Sequence, residues 1–325
     1  MNLKSLNKQE LSEKIKAEAK NLGFFACGIA QAGSVEDDTA RHVRRWLTDE
    51  NYAGMAYMNN YTDKRLDPRL LMDGLKSIVC VALNYAPAQD FGAGEFRFAA
   101  YALGQDYHDI VKNKLKLLAD KIGINNYRVF CDSAPVLERY WATQAGLGWT
   151  GKNHQLIIPH AGSMFFLGEL FLDIELEYDE PAKNRCGNCH RCIDHCPTGA
   201  LQEGRELNSL ACLSYQTIEN RDDIPPEYAS KMGKTIYGCD RCQQVCPWNR
   251  FARPNDTPEL QPKAELLGMK RADWLNLSEE DYRKLFKGSA VKRAKYSGLM
   301  RNIKAATCDY EGKELTLNTK QEDDE

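Results

Sequence analysis

This sequence lacks long apolar segments. No run approaches the roughly 18 consecutive apolar residues that a membrane-spanning helix needs, which excludes an integral membrane protein. The first twenty residues contain neither an apolar signal core nor a cleavage-site pattern. We therefore expect a cytoplasmic protein that has no membrane partner. In a large chain of this kind, clustered cysteines indicate metal binding rather than a disulfide framework.

A strong net charge is also absent, because the 325 residues sum to only −3. Residues 311–325 carry six acids and two lysines, which leaves the remainder of the chain at +1. We expect these fifteen residues to be a disordered acidic tail. Residues 283–304 show the opposite bias, with eight Lys or Arg and no acid. This segment favours contact with RNA phosphates, and a solvated basic helix face is the alternative.

Residues 1–180 alternate helical and strand-like patterns. Leu11, Ile15 and Ala19 recur at helical spacing, and residues 108–122 repeat this pattern before Gly123. The apolar run from Ser77, the segment 127–132 and the run from Gly162 read as strands. Interleaved helices and strands predict an α/β (α+β) N-terminal domain.

The composition changes at Pro181. Residues 181–255 hold eight of the twelve cysteines and show little periodicity, so we expect a ferredoxin-like domain ordered by metal centres. Residues 256–310 return to helical patterning and form the basic helical segment, with Ser278 as a helix N-cap. The predicted boundaries are therefore 1–180, 181–255, 256–310 and the tail 311–325.

The cysteines fall into two groups of specific spacing. The first follows Cys-x2-Cys-x2-Cys-x3-Cys-Pro, the run found in bacterial ferredoxins with two 4Fe–4S clusters, and zinc sites are the alternative. In that run the fourth cysteine binds the neighbouring cluster. The first predicted cluster is therefore held by Cys186, Cys189, Cys192 and Cys246. The second is held by Cys196, Cys239 and Cys242, with Cys212 as the nearest remaining candidate.

Asp132 is the candidate catalytic residue of the N-terminal domain. It ends a predicted strand, where α/β proteins place ligands, and the segment GLGWTGKN follows at 146–153. A glycine-rich turn after a helix is more often only a turn. Apolar neighbours on both sides of Asp132 allow a raised pKa for its carboxyl group.

Several segments in a fixed order resemble one family. The segments DSAPVLER, AGLGWTGKN, GSMFFLGE, the first cysteine run followed by TGAL, and GCDRCQQVCPWN resemble the epoxyqueuosine reductases over residues 10–305. The resemblance implies base-off cobalamin in the N-terminal domain and two 4Fe–4S clusters that deliver electrons to cobalt. It also implies a tRNA substrate with epoxyqueuosine at the wobble position, which is reduced to queuosine. The family's proton donor falls on Asp132.

Further site residues follow from the resemblance and from the basic segment. The expected cobalamin contacts are Met55, Tyr107, Arg139, Trp149, Lys152, Asn153, Leu156, Ser163, Leu167, Ser214, Gln216 and Asp240. The expected tRNA contacts are Arg283, Lys287, Lys292, Arg293, Lys295 and Arg301. We expect a monomer that receives electrons from an unidentified donor.

Two other functions remain compatible with these motifs. One is another corrinoid and iron–sulfur reductase, such as a dehalogenase-like enzyme or a corrinoid activator. Exported dehalogenases usually carry a twin-arginine leader, whereas Arg44 and Arg45 are internal and no apolar region follows them. The other is a ferredoxin-type electron carrier, which would contain iron and sulfide but no corrin.

Overall fold

The computed structural model describes residues 6–307, except 90, 93, 205 and 206, so the predicted tail lies outside the described residues. The strands are β1 Ala26–Gln31, β2 Ser77–Asn84, β3 Arg97–Phe98, β4 Tyr127–Phe130, β5 Trp149–Thr150, β6 Leu156–Ile157, β7 Phe165–Leu172 and β8 Thr235–Tyr237. The helices are α1 Lys8–Asn21, α2 Asp37–Thr48, α3 Thr62–Leu66, α4 Tyr107–Ile122, α5 Glu138–Gln144, α6 Arg191–Asp194, α7 Leu213–Ile218, α8 Pro226–Met232, α9 Arg241–Gln244, α10 Ala264–Gly268, α11 Arg271–Leu275, α12 Glu279–Leu285 and α13 Lys295–Thr307.

The N-terminal domain is built on a four-stranded sheet in the order β1-β2-β7-β4. All neighbouring strands in this sheet are antiparallel. The predicted fold class is confirmed, and the domain is of the α+β kind. The rule that parallel strands gather ligands at their carboxyl ends therefore does not apply to it.

Two apolar cores cover the two faces of this sheet. On one face, α1 and α4 bury Ile15, Leu115 and Leu118 against alternate residues of β2 and β7. On the other face, α5 buries Trp141 against Phe171. The local signal used for prediction holds at Gly123, which ends α4 at φ +90°, and the structure adds Asn7 as the N-cap of α1.

The C-terminal helices share a core with residues far from them in sequence. Phe96 and Phe98, around β3, pack with Trp274, Phe286 and Leu299. β3 also pairs in parallel with β8, which follows the first cysteine group. Residues 96–103, which fall within the predicted N-terminal domain, therefore pack into the core of the C-terminal helices.

In the part of the chain that the structure describes, no helix combines the length and apolar character needed to cross a bilayer.

Candidate active site

Asp132 lies on the turn that follows β4. Cys131 before it is buried, whereas the Asp132 side chain is 58% exposed, so the two side chains point in opposite directions as predicted. Asp132 has φ +58°, in the left-handed region that aspartate tolerates better than most residues. Its side chain is therefore presented on a sharp turn, away from the sheet.

The N-terminus of α4 holds the Asp132 carboxylate. The Tyr107 hydroxyl donates to Asp132 Oδ2 at 2.6 Å, and His108 Nε2 lies 3.2 Å from the same oxygen. The other ring nitrogen of His108 lies 2.7 Å from Oδ1 of Asp106, which is the N-cap of α4. The Tyr107 ring stacks on Phe166 with centroids 4.1 Å apart, which fixes the hydroxyl. The site is an Asp–His–Asp arrangement with one exposed end.

The charges of this arrangement differ from the sequence prediction. Partial desolvation by the surrounding side chains opposes ionisation of Asp132, but hydrogen bonds from His108 and Tyr107 outweigh it and hold the pKa of Asp132 below its usual value. The hydrogen bond to Asp106, together with that to Asp132, raises the pKa of His108 to about 9. The prediction that the pKa of Asp132 is raised is therefore wrong, because Tyr107 and His108 donate to the carboxylate. At neutral pH the proton resides on His108.

We expect this charge pattern to appear in the pH dependence of stability. The folded state raises the pKa of His108 from 6.5 to about 9, so the stabilisation from its charged form is complete below pH 6.5. That stabilisation is lost as the pH rises through about 9. The urea midpoint of the native protein should therefore fall more between pH 6.5 and 9.5 than that of His108→Asn. Equal changes in the two proteins would contradict the ion pairing.

Two further acids lie behind Asp132, and the sequence patterns placed neither of them beside it. The Asp132 backbone N–H donates to Glu138 Oε1 at the start of α5. Glu169 is fully buried on β7. Burial and the negative charge of Asp132 raise the pKa of Glu138 to about 7, and burial raises that of Glu169 well above its usual value. One signal was available, because Glu169 interrupts the apolar strand FFLGELFL.

The first four predicted cluster cysteines surround one small cavity. It is lined by Cys186, Cys189, Cys192 and Cys246, together with Lys152, Asn153, Ile157, Pro247 and Trp248. The Trp149 indole N–H donates to Cys186 Sγ at 3.3 Å. Lys152 Nζ donates to the Gly187 carbonyl oxygen at 3.0 Å. Trp149, Lys152 and Asn153, which we expected to contact cobalamin, lie beside this cysteine group.

The second set of cysteines forms a neighbouring group. Cys212 lies within electrostatic range of Cys196, Cys239 and Cys242. Cys242 is also close to Cys192 of the first group, so the two groups adjoin. Among the described residues, no three His, Cys, Asp or Glu converge closely enough to hold a single metal ion.

A cavity of about 710 Å³ opens between residues 86–89 and 97–100 on one side and Asp240, Arg241 and Gln244 on the other. Much of its wall consists of small side chains, and four cations also line it: Arg97, Lys234, Arg241 and Arg253. The Asp240 carboxylate lies in the wall and accepts the Ala100 backbone N–H at 2.6 Å. Tyr101 follows and meets the Tyr107 ring, with centroids 6.1 Å apart. Tyr101 thus lies between Ala100 in the cavity wall and Tyr107, which contacts Asp132.

Only Asp240 of the expected cobalamin contacts lines this cavity. Tyr107 bonds Asp132, and Ser163 bonds Gln243 and Asn249. Gln216 is buried and bonds the Leu210 carbonyl oxygen, so internal packing accounts for it. The structure leaves the others outside the wall of this cavity: Met55, Arg139, Leu156, Leu167 and Ser214.

The basic segment divides into exposed and internal cations. Lys287, Lys292 and Lys295 are exposed. Arg293 pairs with Glu219 through two contacts of 2.7 Å, and Arg283 pairs with Glu279 at 2.7 Å. Arg301 donates to the carbonyl oxygens of Gln216, Asn220 and Asp222, which fixes α13 against α7. Arg301, one of the predicted RNA contacts, therefore also has a structural role.

The fold and site together define an iron–sulfur oxidoreductase in which a double-cluster domain adjoins an acid–base site. The protein family described as "4Fe-4S double cluster binding domain" matches residues 185–249, so the chain carries that domain. A second family, described as "Epoxyqueuosine reductase QueG, DUF1730", matches residues 65–133.

Curated relatives place the chain in one family. It is 44% identical to the epoxyqueuosine reductase of Cellulophaga algicola, over 91% of this chain and 98% of the relative. It is 38% identical to that of Escherichia coli, over 93% and 82% respectively. The chain belongs to the epoxyqueuosine reductase family.

The fold is similar to those of solved epoxyqueuosine reductases. One is an epoxyqueuosine reductase with an epoxyqueuosine-modified tRNA-Tyr stem loop, at TM-score 0.85 and 29% identity, covering 96% of this chain and 83% of that one. Another is the Bacillus subtilis epoxyqueuosine reductase with its catalytic aspartate loop swung out of the active site, at TM-score 0.84, 29% identity and the same coverage.

Proposed function

We propose that this protein reduces epoxyqueuosine in tRNA to queuosine, with Asp132 delivering protons to the epoxide oxygen. The observation that carries the proposal is the exposed Asp132 carboxylate, held by Tyr107 and His108 on a strained turn. Family membership supports it, as does the catalytic aspartate loop of the Bacillus subtilis relative.

The overall reaction sets what the site must supply. Removing the epoxide oxygen as water breaks two C–O bonds, forms a C=C bond, and consumes two electrons and two protons. Two 4Fe–4S clusters, each a one-electron carrier, match the electron count. We propose Cys186, Cys189, Cys192 and Cys246 as ligands of one cluster, because they surround a single cavity. We propose Cys196, Cys212, Cys239 and Cys242 for the other.

Cobalamin is the remaining proposed cofactor, and the cavity beside Asp240 fits it. Cobalamin carries peripheral amides and a nucleotide tail with one phosphate. The four cations suit the phosphate, and Asp240 suits the amides. When bound, cobalamin supplies an electron-rich metal centre that can attack an epoxide carbon. The protein supplies binding, orientation and protons.

Proton delivery follows from the geometry around Asp132. His108 is protonated at neutral pH and lies 3.2 Å from Asp132 Oδ2, so it can pass a proton to that carboxylate. Asp106 on the other ring nitrogen stabilises the imidazolium and sets its orientation. The exposed face of Asp132 then gives the proton to the substrate oxygen, and His108 is recharged from solvent.

The test is anaerobic turnover of epoxyqueuosine-containing tRNA by protein loaded with iron, sulfide and cobalamin. We expect the modified nucleoside to lose the mass of one oxygen. We also expect the purified protein to show corrin absorbance. Protein that binds iron but no corrin, and leaves the nucleoside unchanged, would identify an electron carrier and overturn the proposal.

We propose that tRNA contacts the exposed cations of the basic segment. Replacing Lys292 and Lys295 with alanine removes two positive charges and should reduce the slope of log affinity against log salt by about one to two. The matched control is Lys20→Ala with Lys116→Ala, which removes the same charge from α1 and α4. Equal binding by both double variants would place the RNA elsewhere.

A further inference from the structure

Glu169 is a buried acid without a conventional partner. It lies in the middle of β7, opposite Cys80 of β2 and Phe130 of β4. Its side chain is fully buried, and within the described residues no donor group reaches either of its carboxyl oxygens. An ionised carboxylate in such surroundings is unfavourable, so the acid stays protonated. A protonated carboxyl group is itself a donor and requires an acceptor.

The fold offers Glu138 as that acceptor, because α5 packs against β7 and the Glu138 carboxylate acts on the buried Glu169. Glu138 is the first residue of α5, on the face of the sheet where Glu169 points. Its Oε1 also accepts the Asp132 backbone N–H. Glu138 therefore links a buried proton donor on β7 to the backbone of the exposed Asp132.

The other titratable groups around Glu138 and Glu169 add no negative charge, so the carboxyl groups carry all of it. Burial raises the pKa of the Cys80 thiol on β2 and of the Cys131 thiol on β4, so both stay neutral near pH 7. Arg139 on α5 and His108 on α4 supply positive charge nearby. A negative charge on Glu138 can therefore be tolerated beside Asp132.

We propose that Glu169 and Glu138 form a protonated carboxyl pair that positions Asp132. Glu169 donates to Glu138, and Glu138 holds the Asp132 N–H so that the turn keeps its left-handed conformation. The carboxylate then stays against Tyr107 and His108. Both acids are positioning residues, and the inference rests on the proposed role of Asp132.

The bonds of the turn explain why Glu138 is required. Ser133 bonds back to the Cys131 carbonyl oxygen, and Lys112 reaches the Ser133 hydroxyl. Neither contact fixes the Asp132 N–H. The left-handed conformation of a non-glycine residue costs free energy, and the hydrogen bond from the Asp132 N–H to Glu138 offsets that cost. Without this acceptor, we expect the turn to adopt another conformation. The side chain then leaves the two donors that orient it.

Four variants and one control test the pairing. In Glu138→Gln the amide oxygen still accepts the Asp132 N–H, whereas Glu138→Ala provides no acceptor. In Glu169→Gln the amide N–H still donates to Glu138, whereas Glu169→Leu fills the space without a donor. Thr143→Ala, also on α5, controls for general weakening of the helix.

The primary readout is amide hydrogen exchange in residues 131–137 of the cluster-loaded protein. We expect exchange there to increase about tenfold in Glu138→Ala and Glu169→Leu, and to stay near native in both glutamine variants and in Thr143→Ala. Exchange in α4 should not change. The second readout is kcat, which we expect to fall about 100-fold in Glu138→Ala with little change in KM, and to recover in Glu138→Gln.

Each outcome decides one part of the inference. Native-like exchange in Glu138→Ala would overturn the positioning role. Glu138→Gln with kcat as low as Glu138→Ala would mean that the carboxyl group transfers a proton rather than holding the turn, which also overturns it. Full turnover by a protein that lacks the Asp132 carboxyl group would instead refute the proposed function of Asp132. In that case the amide hydrogen exchange of residues 131–137 would still test whether Glu138 and Glu169 position the turn.

Discussion

Asp132→Asn is expected to lower kcat for epoxyqueuosine-containing tRNA by about 10²–10⁴-fold, the range typical for loss of a general acid. The asparagine side chain can still accept from Tyr107 and His108, so the turn should persist. It cannot carry a proton from His108 to the substrate oxygen. Iron content and tRNA affinity should therefore remain native while turnover is lost.

The control for this variant is Asp109→Asn on α4, an exposed acid near the same helix terminus. It removes the same charge without touching the site and should keep native turnover. An Asp132→Asn protein with more than about one tenth of native kcat would show that another group delivers the protons.

Cys246→Ala is expected to remove the cluster that it shares with Cys186, Cys189 and Cys192, although it belongs to the second motif in sequence. The reason is the single cavity that these four thiols line. Iron should fall from about eight atoms per chain to about four, and tRNA reduction should stop because the electron path is broken. Iron analysis and the electron paramagnetic resonance of the reduced protein measure both clusters.

Cys27→Ala serves as the matched variant, because Cys27 lies on β1 away from both cysteine groups. It should keep all of its iron. If Cys246→Ala retained the signal of the first cluster and lost that of the second, the crossed arrangement of ligands would be wrong.

Sequence patterns predicted the main elements well because their signals are local. Helix caps and apolar periodicity identified α1 and α4, and cysteine spacing identified the double-cluster domain. Asp132 was found because it ends a strand and lies in a family motif. The end of α4 at Gly123 could be predicted without tertiary information, because glycine adopts the left-handed conformation of a helix C-cap more readily than other residues.

The network behind Asp132 could not be predicted from local patterns. Glu138 and Glu169 are 31 positions apart and meet only because α5 packs across β7. The pKa of Asp132 was predicted in the wrong direction for the same reason, since apolar neighbours in sequence did not reveal His108 in space. The strained backbone residue of this turn is Asp132 itself, at φ +58°.

The shared core of β3 and the C-terminal helices has a consequence for synthesis on the ribosome. Phe96 and Phe98 are translated early, but Trp274, Phe286 and Leu299, which cover them, follow about two hundred residues later. Until α13 emerges, this aromatic segment is exposed on a partly folded chain, a state prone to aggregation. The nascent chain therefore has an interval, between completion of the four-stranded sheet and synthesis of α13, in which protection of these aromatic side chains from other chains matters most.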